Sequence, residues 1–417
     1  MKTTGKNTEG FTSAQSAEGM NSSAVAKLVV VGAGTIGMRH IMAINLCPGA
    51  KLAGVAEKDE SVRAELAGKG IAVSPNVERL VEDSQPDGVI IATPTDAHCH
   101  SALPVISAGI PVLVEKPIAA SLNESEAIAA AAAQAGTQVL VGHQRRYHPQ
   151  AAMAREMIRT GKLGEILLVS GVWGVRKHEG YYRQGFRRTR EAGPVMINFI
   201  HDIDMLRHVL GEIESVAARL SNKIGGGLKE DAGVVSMKFA SGALGSFALS
   251  DRVTSPWSWE SATGENRIVP DAGQNCFRFM GTESSLDFPN LVHWTHEGGK
   301  GDWSRSISGE QIKCQRIDPF VSQLNHFLDV IHGLAKPLID VRDATASLRA
   351  ALAVLEAADS GCWVELQRPQ RLPKAAGAGT SVWIASFSVS FEKFQTGFEF
   401  GIFNFWRFCR ARDITRF

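Results

Sequence analysis

The sequence predicts an α/β chain: a doubly wound parallel sheet first, then an α+β domain with a large, mostly antiparallel open sheet. Three observations carry this. An apolar strand runs straight into Gly32, Gly34 and Gly37 at G-x-G-x-x-G spacing, and the acidic Glu57 follows about 20 residues later. Strand and helix patterns then alternate from Lys27 to about His143, the rhythm of a parallel sheet. Beyond Pro149 longer alternating runs joined by tight turns take over, as in antiparallel hairpins.

Residues 1–26, rich in Ser, Thr, Gly and Asn, read as a disordered tail without the apolar core of a signal peptide, and Met20 offers an alternative start. The strand KLVVVG opens the first domain, expected over 27–147. Gly32 permits the tight turn, Gly34 lets a pyrophosphate approach the backbone, and Gly37 lets the helix lie close to its strand. Thr35 and Ile36 fall at the helix N-terminus, which faces the phosphates. Strand KLAGVAE ends at Glu57. A helix near Glu60 to Ala67, strand GVIIAT, a helix from Asp96 to Ala108 and strand PVLVE follow. Ser121 and Glu124 form the capping box of an Ala-rich helix, and strand TQVLVGH closes the unit. An ordinary βα turn, with Glu57 a solvated charge, is the alternative to a dinucleotide site.

The second domain is expected over 148–367. Val235, Met237 and Phe239 alternate with polar residues, and Ser241-Gly242 turns the chain into another apolar run. CFRFMG, SSLDF and LVHW are further strands, framed by helices near His201 to Leu210, Pro319 to Ile331 and Asp343 to Asp359. Residues 368–417 hold nine of the nineteen phenylalanines without a sustained period. They read either as an amphipathic tail or as an unrelated reading of the gene's end, and carry no assigned chemistry.

A formal net charge of +1 gives no field to steer the chain toward nucleic acid or an anionic membrane. The six cysteines lie far apart with no C-x-x-C, which argues against a zinc knuckle or redox pair and for reduced thiols in a cytoplasm. The twelve histidines lack partners at recognised metal spacing, so no metal is expected. No apolar run is long enough to cross a bilayer.

Four more segments extend the glycine motif: ATPTDAH (92–98), VLVEKPIA (112–119), VGHQRRYHP (141–149) and GPVMINFIHDIDMLRHVLGE (193–212). In their order and spacing the chain resembles the Gfo/Idh/MocA oxidoreductases over about Lys27 to Leu366. The resemblance implies an N-terminal Rossmann domain, a C-terminal domain whose open sheet forms homodimers or homotetramers, and oxidation or reduction of sugars, inositols and related cyclic alcohols with NAD or NADP. It also implies that the lysine of the E-K-P motif, Lys116, contacts the reacting hydroxyl and that His201 lies beside the substrate. The family's catalytic aspartate usually stands four residues before that histidine, and here that position is Ile197. Asn198 lies three before; an amide can hydrogen-bond a substrate but cannot take its proton.

Several side chains are expected at a common cleft. Thr93 and Pro94 end a strand at the carboxyl edge where ligands bind in open α/β sheets, although Pro94 also reads as a strand stop. Pro117 restricts Lys116 to extended backbone and so fixes its exit from the sheet, with a solvated surface lysine as the alternative. His98 and Glu115 complete the expected cofactor-binding set of Gly32, Gly34, Thr35, Ile36, Gly37, Glu57, Thr93, Pro94 and Lys116. Glu57 is expected on the ribose hydroxyls, favouring NAD over NADP, while Lys58 softens that preference. An ordinary His titrates near 6.5 and an ordinary Lys near 10.4, so His201 is expected to exchange the proton while charged Lys116 stabilises alkoxide character, with Asn198 as the third catalytic residue.

Arginines around Tyr181 to Arg190, with Arg145, suggest a substrate bearing a carboxylate, for which Arg145, Tyr181, Arg188 and Asp202 are candidates. Solvated charges or phosphate contacts are the alternative, and Trp257 and Trp259 read equally as core. The function expected is NAD-dependent oxidation of a secondary alcohol on a sugar, cyclitol or cyclic dihydrodiol. An NADP-dependent keto-sugar reductase, a dehydrogenase of an aromatic-acid dihydrodiol, and a nucleotide-sensing regulator without turnover stand as alternatives.

Overall fold

The computed structural model describes residues 25–366, apart from positions 184, 228, 267 and 300. The tail expectations for 1–26 and 368–417 lie outside these residues, except that the first strand already includes Ala26. Six parallel strands form the first sheet: β1 (Ala26–Val31), β2 (Ala50–Ala56), β3 (Val73–Ser74), β4 (Gly88–Ile91), β5 (Val112–Glu115) and β6 (Val139–Gly142). Their order, β3-β2-β1-β4-β5-β6, reverses direction between β1 and β4. That reversal opens a crevice at the carboxyl ends of these two strands. Helices α1 (Thr35–Leu46), α2 (Glu60–Gly68), α3 (Val77–Ser84), α4 (His98–Ser107) and α5 (Leu122–Ala135) make the crossovers. The capping box of α5 is present as read: Ser121 accepts from the Glu124 backbone while Glu124 accepts from the Ser121 backbone.

After α6 (Pro149–Arg159) the chain builds a nine-stranded sheet. Its strands are β7 (Ile166–Gly174), β8 (Ile213–Ser221), β9 (Ala232–Phe239), β10 (Leu244–Ser250), β11 (Phe277–Gly281), β12 (Ser285–Phe288), β13 (Val292–His296), β14 (Ile307–Gln311) and β15 (Val364–Glu365). Every pairing is antiparallel except β7 with β10. Val235, Met237 and Phe239 are buried while Val234, Ser236 and Lys238 between them are exposed, so period-two patterning sets the register. Three further helices belong to this half by sequence: α7 (Ile200–Leu210), the short α8 (Trp259–Thr263) and α9 (Pro319–Ile331). The last is α10 (Val341–Ser360), which packs on β8, α5 and α7.

Helix α9 follows the antiparallel strands in sequence but packs against α1. Its Phe320, Leu324, Phe327 and Leu328 share one core with Leu28, Ile44 and Leu113 of the parallel sheet. The α9 stripe therefore covers a face that the first 147 residues leave open. Truncating a fully buried residue such as Phe327 to Ala costs about 3–5 kcal/mol. The pattern reading did not name β3, α3 and α6, and the expected helix from Asp96 divides into a 3₁₀ turn, Thr95–Ala97, and α4.

Candidate active site

The crevice at the β1/β4 switch widens into a cleft of about 2720 Å³, bounded on its far side by parts of segments 173–201 and 255–272. Gly32 has φ +92°, and a Cβ there would lie 2.7 Å from the Ala92 carbonyl oxygen. A Cβ on Gly37 would stand 1.9 Å from the Gly32 carbonyl oxygen, so Gly37 sits behind the loop as a packing residue and does not line the cleft. A Cβ on Gly34 would meet nothing within 4 Å. The two outer glycines thus close the turn tightly, while the middle one leaves backbone open beside Thr35 and Ile36 at the start of α1. That cradle fits a pyrophosphate.

Glu57 Oε2 accepts from the Ala33 amide at 2.7 Å and Oε1 from the Asp59 amide at 3.0 Å, so the carboxylate is locked at the rim of the glycine loop. A carboxylate has further lone pairs, so these bonds leave capacity for ribose hydroxyls. Thr93 and Pro94 line the opposite wall, and Thr93 Oγ1 is buried without a partner. Two members of the expected cofactor set line the cleft with their side chains committed to protein partners. His98 is buried with Nδ1 2.8 Å from the Pro117 carbonyl and Nε2 2.9 Å from that of Thr93, so it joins two strand ends and has no ring nitrogen left for a ligand. Glu115 is buried against His40 Nε2 at 2.8 Å. Burial raises its pKa, but His40 and Lys116 outweigh this and hold it below the ordinary carboxylate value.

Lys116 leaves the end of β5 through a cis Lys116–Pro117 peptide and reaches across the cleft. Its Nζ donates to the Ile197 carbonyl at 2.9 Å. Ile197 and Asn198 belong to a π-helical turn, Val195–Phe199, that runs into α7. Such turns widen the helix and are frequent at functional sites. Burial pulls the Lys116 pKa down to about 8, with Glu115 opposing and Arg145 adding to the fall. His201 lines the same cleft with Nδ1 buried and unpartnered. Burial, then the charges of Lys116 and Arg145, drives it well below its ordinary value. Burial thus acts on both expected proton-handling groups in one direction, disfavouring the charged form of Lys116 and, more strongly, that of His201.

Asn198 Oδ1 accepts from Lys177 Nζ at 2.9 Å, and the Tyr181 hydroxyl lies 3.3 Å from the same ammonium. Tyr181 lines the cleft as expected, with Arg187 stacked on its ring at 4.0 Å. Lys177, missed in the sequence, follows β7 in no recognisable motif, and only the fold brings it to the turn. Three substrate-binding expectations are corrected. Arg145 is buried, bonded to Asp202 and to Glu260 Oε1 at 3.0 Å, and neither Arg145 nor Asp202 lines the cleft. Burial raises Asp202 to about 7 despite Arg145. Arg188 is exposed and lines a separate pocket of about 480 Å³. Trp259 is core, while Trp257 is exposed. Among the described residues no cluster of His, Cys, Asp or Glu could hold a metal ion, and no helix is long and apolar enough to cross a membrane.

Residues 26–143 match the model of an oxidoreductase family with an NAD-binding Rossmann fold, GFO/IDH/MocA, and residues 151–287 match that family's C-terminal domain. The rhizopine catabolism protein MocA of Rhizobium meliloti is 31% identical over 188 residues, 45% of this chain and 57% of that protein. The scyllo-inositol 2-dehydrogenase (NAD(+)) of Bacillus subtilis strain 168 is 28% identical over 82% of this chain and 96% of its own. Among solved structures, an oxidoreductase from Agrobacterium radiobacter in complex with NAD+, L-tartaric acid and magnesium superposes with a TM-score of 0.70. It is 16% identical, covering 82% of this chain and 98% of that one, a likeness of fold.

Proposed function

The chain belongs to the GFO/IDH/MocA family of NAD-binding oxidoreductases, and on that premise we propose that it is an NAD-dependent dehydrogenase oxidising a secondary alcohol of a sugar, cyclitol or cyclic diol. The observation that carries the reading is Lys116. It stands at the carboxyl edge of the parallel sheet, in one cleft with the open glycine loop and His201, with its ammonium 2.9 Å from the Ile197 carbonyl. Gly34 and the start of α1 would hold the dinucleotide pyrophosphate, and Glu57 the adenosine ribose. When bound, the nicotinamide supplies the hydride acceptor for the carbinol carbon.

The residues of the chain manage the proton and the geometry. Neutral Lys116 accepts the hydroxyl proton as the carbonyl forms, and in the reverse direction its ammonium returns it. His201, whose charged form burial disfavours, donates or accepts a hydrogen bond to the same oxygen. Ile197 brings a backbone carbonyl where the family usually has a carboxylate, so Lys116 is positioned by a dipole with no formal charge. The outer face of the nine-stranded sheet, where Leu168, Val234 and Leu244 are exposed, suits a homodimer or homotetramer.

The test is nicotinamide reduction by the purified protein, with NAD and NADP separately, across inositols, aldoses and cyclic dihydrodiols. Turnover with NAD on one class supports the reading. Tight NAD binding with silence across the panel, in both directions, would replace the dehydrogenase with a regulator that binds the dinucleotide as a signal.

A further inference from the structure

Two ammonium groups meet the 195–199 turn at consecutive residues. Lys116 donates to the Ile197 carbonyl at 2.9 Å and Lys177 to Asn198 Oδ1 at 2.9 Å, and both acceptors are neutral. The carboxylates near Lys177 bind other groups more closely. Asp251 Oδ2 is shared, 2.7 Å from Lys229 and 3.8 Å from Lys177, so Lys177 holds only the longer of the two ion pairs. Glu260 is bonded to Arg145 at 3.0 Å and to the Trp173 indole N–H at 3.1 Å.

The Lys177 side chain is only 14% exposed, with its ammonium 5.5 Å from the Trp173 ring centre and 4.4 Å from that of Tyr181. An ammonium carries three donors, and here two meet neutral oxygens, those of Asn198 and Tyr181. Water is largely excluded from this position, so an anion supplied by the ligand would gain more than a hydroxyl, because charge-assisted bonds are roughly twice as strong as neutral ones. Burial, with Asp251 opposing, already draws the Lys177 pKa down to about 8.

We infer, on the reading that this cleft oxidises a secondary alcohol, that Lys177 binds a carboxylate on the substrate near the reacting carbon, making the substrate a polyhydroxy acid or a carboxylated cyclic diol. Lys116 then engages the reacting hydroxyl and Lys177 the carboxylate, on neighbouring residues of one turn. Tyr181 and Asn198 hold Lys177 in place. In this way the chain distinguishes an acidic substrate from its neutral analogue.

Paired substrates test it: D-glucuronate against D-glucose, D-galacturonate against D-galactose, and a cis-dihydrodiol with and without its carboxylate, each with NAD. The expected result is a kcat/KM for at least one acid roughly 10- to 100-fold above its neutral partner. Lys177→Met should erase that preference mainly through KM, and Lys177→Arg should keep part of it. Calorimetric titration of the same acids into the NADH-loaded protein gives a second readout, and Lys177→Gln guards against a methionine variant that fails to fold. If neutral members are turned over as well as their acids, the carboxylate inference is overturned and the dehydrogenase stands. If no pair is turned over, carboxylate binding that Lys177→Gln abolishes supports the site while the dehydrogenase reading falls. Binding equal in both proteins, or none, overturns the inference too.

Discussion

The Lys116 ammonium donates to the Ile197 carbonyl at 2.9 Å, tying the end of a parallel strand to the π-helical turn that opens α7. A carbonyl dipole supports an ammonium less than a carboxylate does, and burial pulls Lys116 down to about 8. If Lys116 takes the proton, alcohol oxidation requires its neutral form, so kcat should rise with pH through about 8 and the reverse reduction should fall over the same range. His201→Asn and Lys177→Met should keep that limb. Lys116→Met should remove it and lower kcat roughly 10²- to 10⁴-fold. A limb near 6.5 that disappears in His201→Asn would return the proton to the histidine.

Restoring a charge beside Lys116 should move the same limb. Ile197 lines the cleft, and an opposite charge within a few ångström raises an ammonium pKa by about 1 to 3 units. Ile197→Asp is expected to shift the pH limb of oxidation upward by roughly 1 unit. An unmoved limb would mean that the new carboxylate does not reach the lysine.

The glycines of the loop separate folding from binding. Gly37→Ala would place a Cβ 1.9 Å from a backbone oxygen, so it should cost several degrees of Tm or abolish soluble expression. Gly34→Ala meets nothing within 4 Å and should melt with the parent protein while its Kd for NAD rises roughly tenfold or more. Comparable Tm losses in both variants would contradict a role for Gly34 in the ligand cradle.

These glycines were legible because a βα turn fixes spacing locally: a strand end, a tight turn and a helix start leave little freedom over six residues. Lys116 and His201 were legible from their motifs, and the Ser121–Glu124 box from helix-end chemistry. Lys177 was not, because its meeting with Asn198 depends on where β7 ends relative to a turn some twenty residues later in the chain. Arg145 and Asp202 were placed on the substrate because sequence shows their charges and hides their burial. The pairing of α9 with α1 was hidden for the same reason, since periodicity reveals an apolar stripe but not its partner.

Glu57 stands at the rim of the glycine loop, accepting from the Ala33 and Asp59 amides, and on the proposed reading it meets the adenosine ribose. A carboxylate there repels a 2′-phosphate. Glu57→Ser should raise kcat/KM for NADP relative to NAD by at least tenfold, an effect of about 1.4 kcal/mol on the preference. Because the Ala33 bond is lost too, some weakening toward both cofactors is expected. Unchanged preference would remove Glu57 from cofactor discrimination.

Behind the cleft, Arg146 grips Asp204 through two bonds of 2.8 and 2.6 Å and reaches Asp343 at 2.5 Å. Burial raises the Asp204 pKa, but His143 beside it at 3.6 Å, then the charge and hydrogen bonds of Arg146 and the charge of Arg207, outweigh it and hold the carboxyl well below the usual range. A carboxyl depressed in the folded state contributes stability that is present above its unfolded value, near 3.9, and is lost as pH falls through the folded value. Arg146→Met leaves that carboxylate buried with less compensation and should cost about 3–5 kcal/mol at pH 7. Without the guanidinium the folded pKa of Asp204 rises, so the folded variant takes up a proton before the unfolded chain does. The deficit should therefore shrink as pH falls from 7 toward about 4.5. Urea unfolding of both proteins at the two pH values measures this, and a deficit independent of pH would assign the loss to packing of the arginine stem alone.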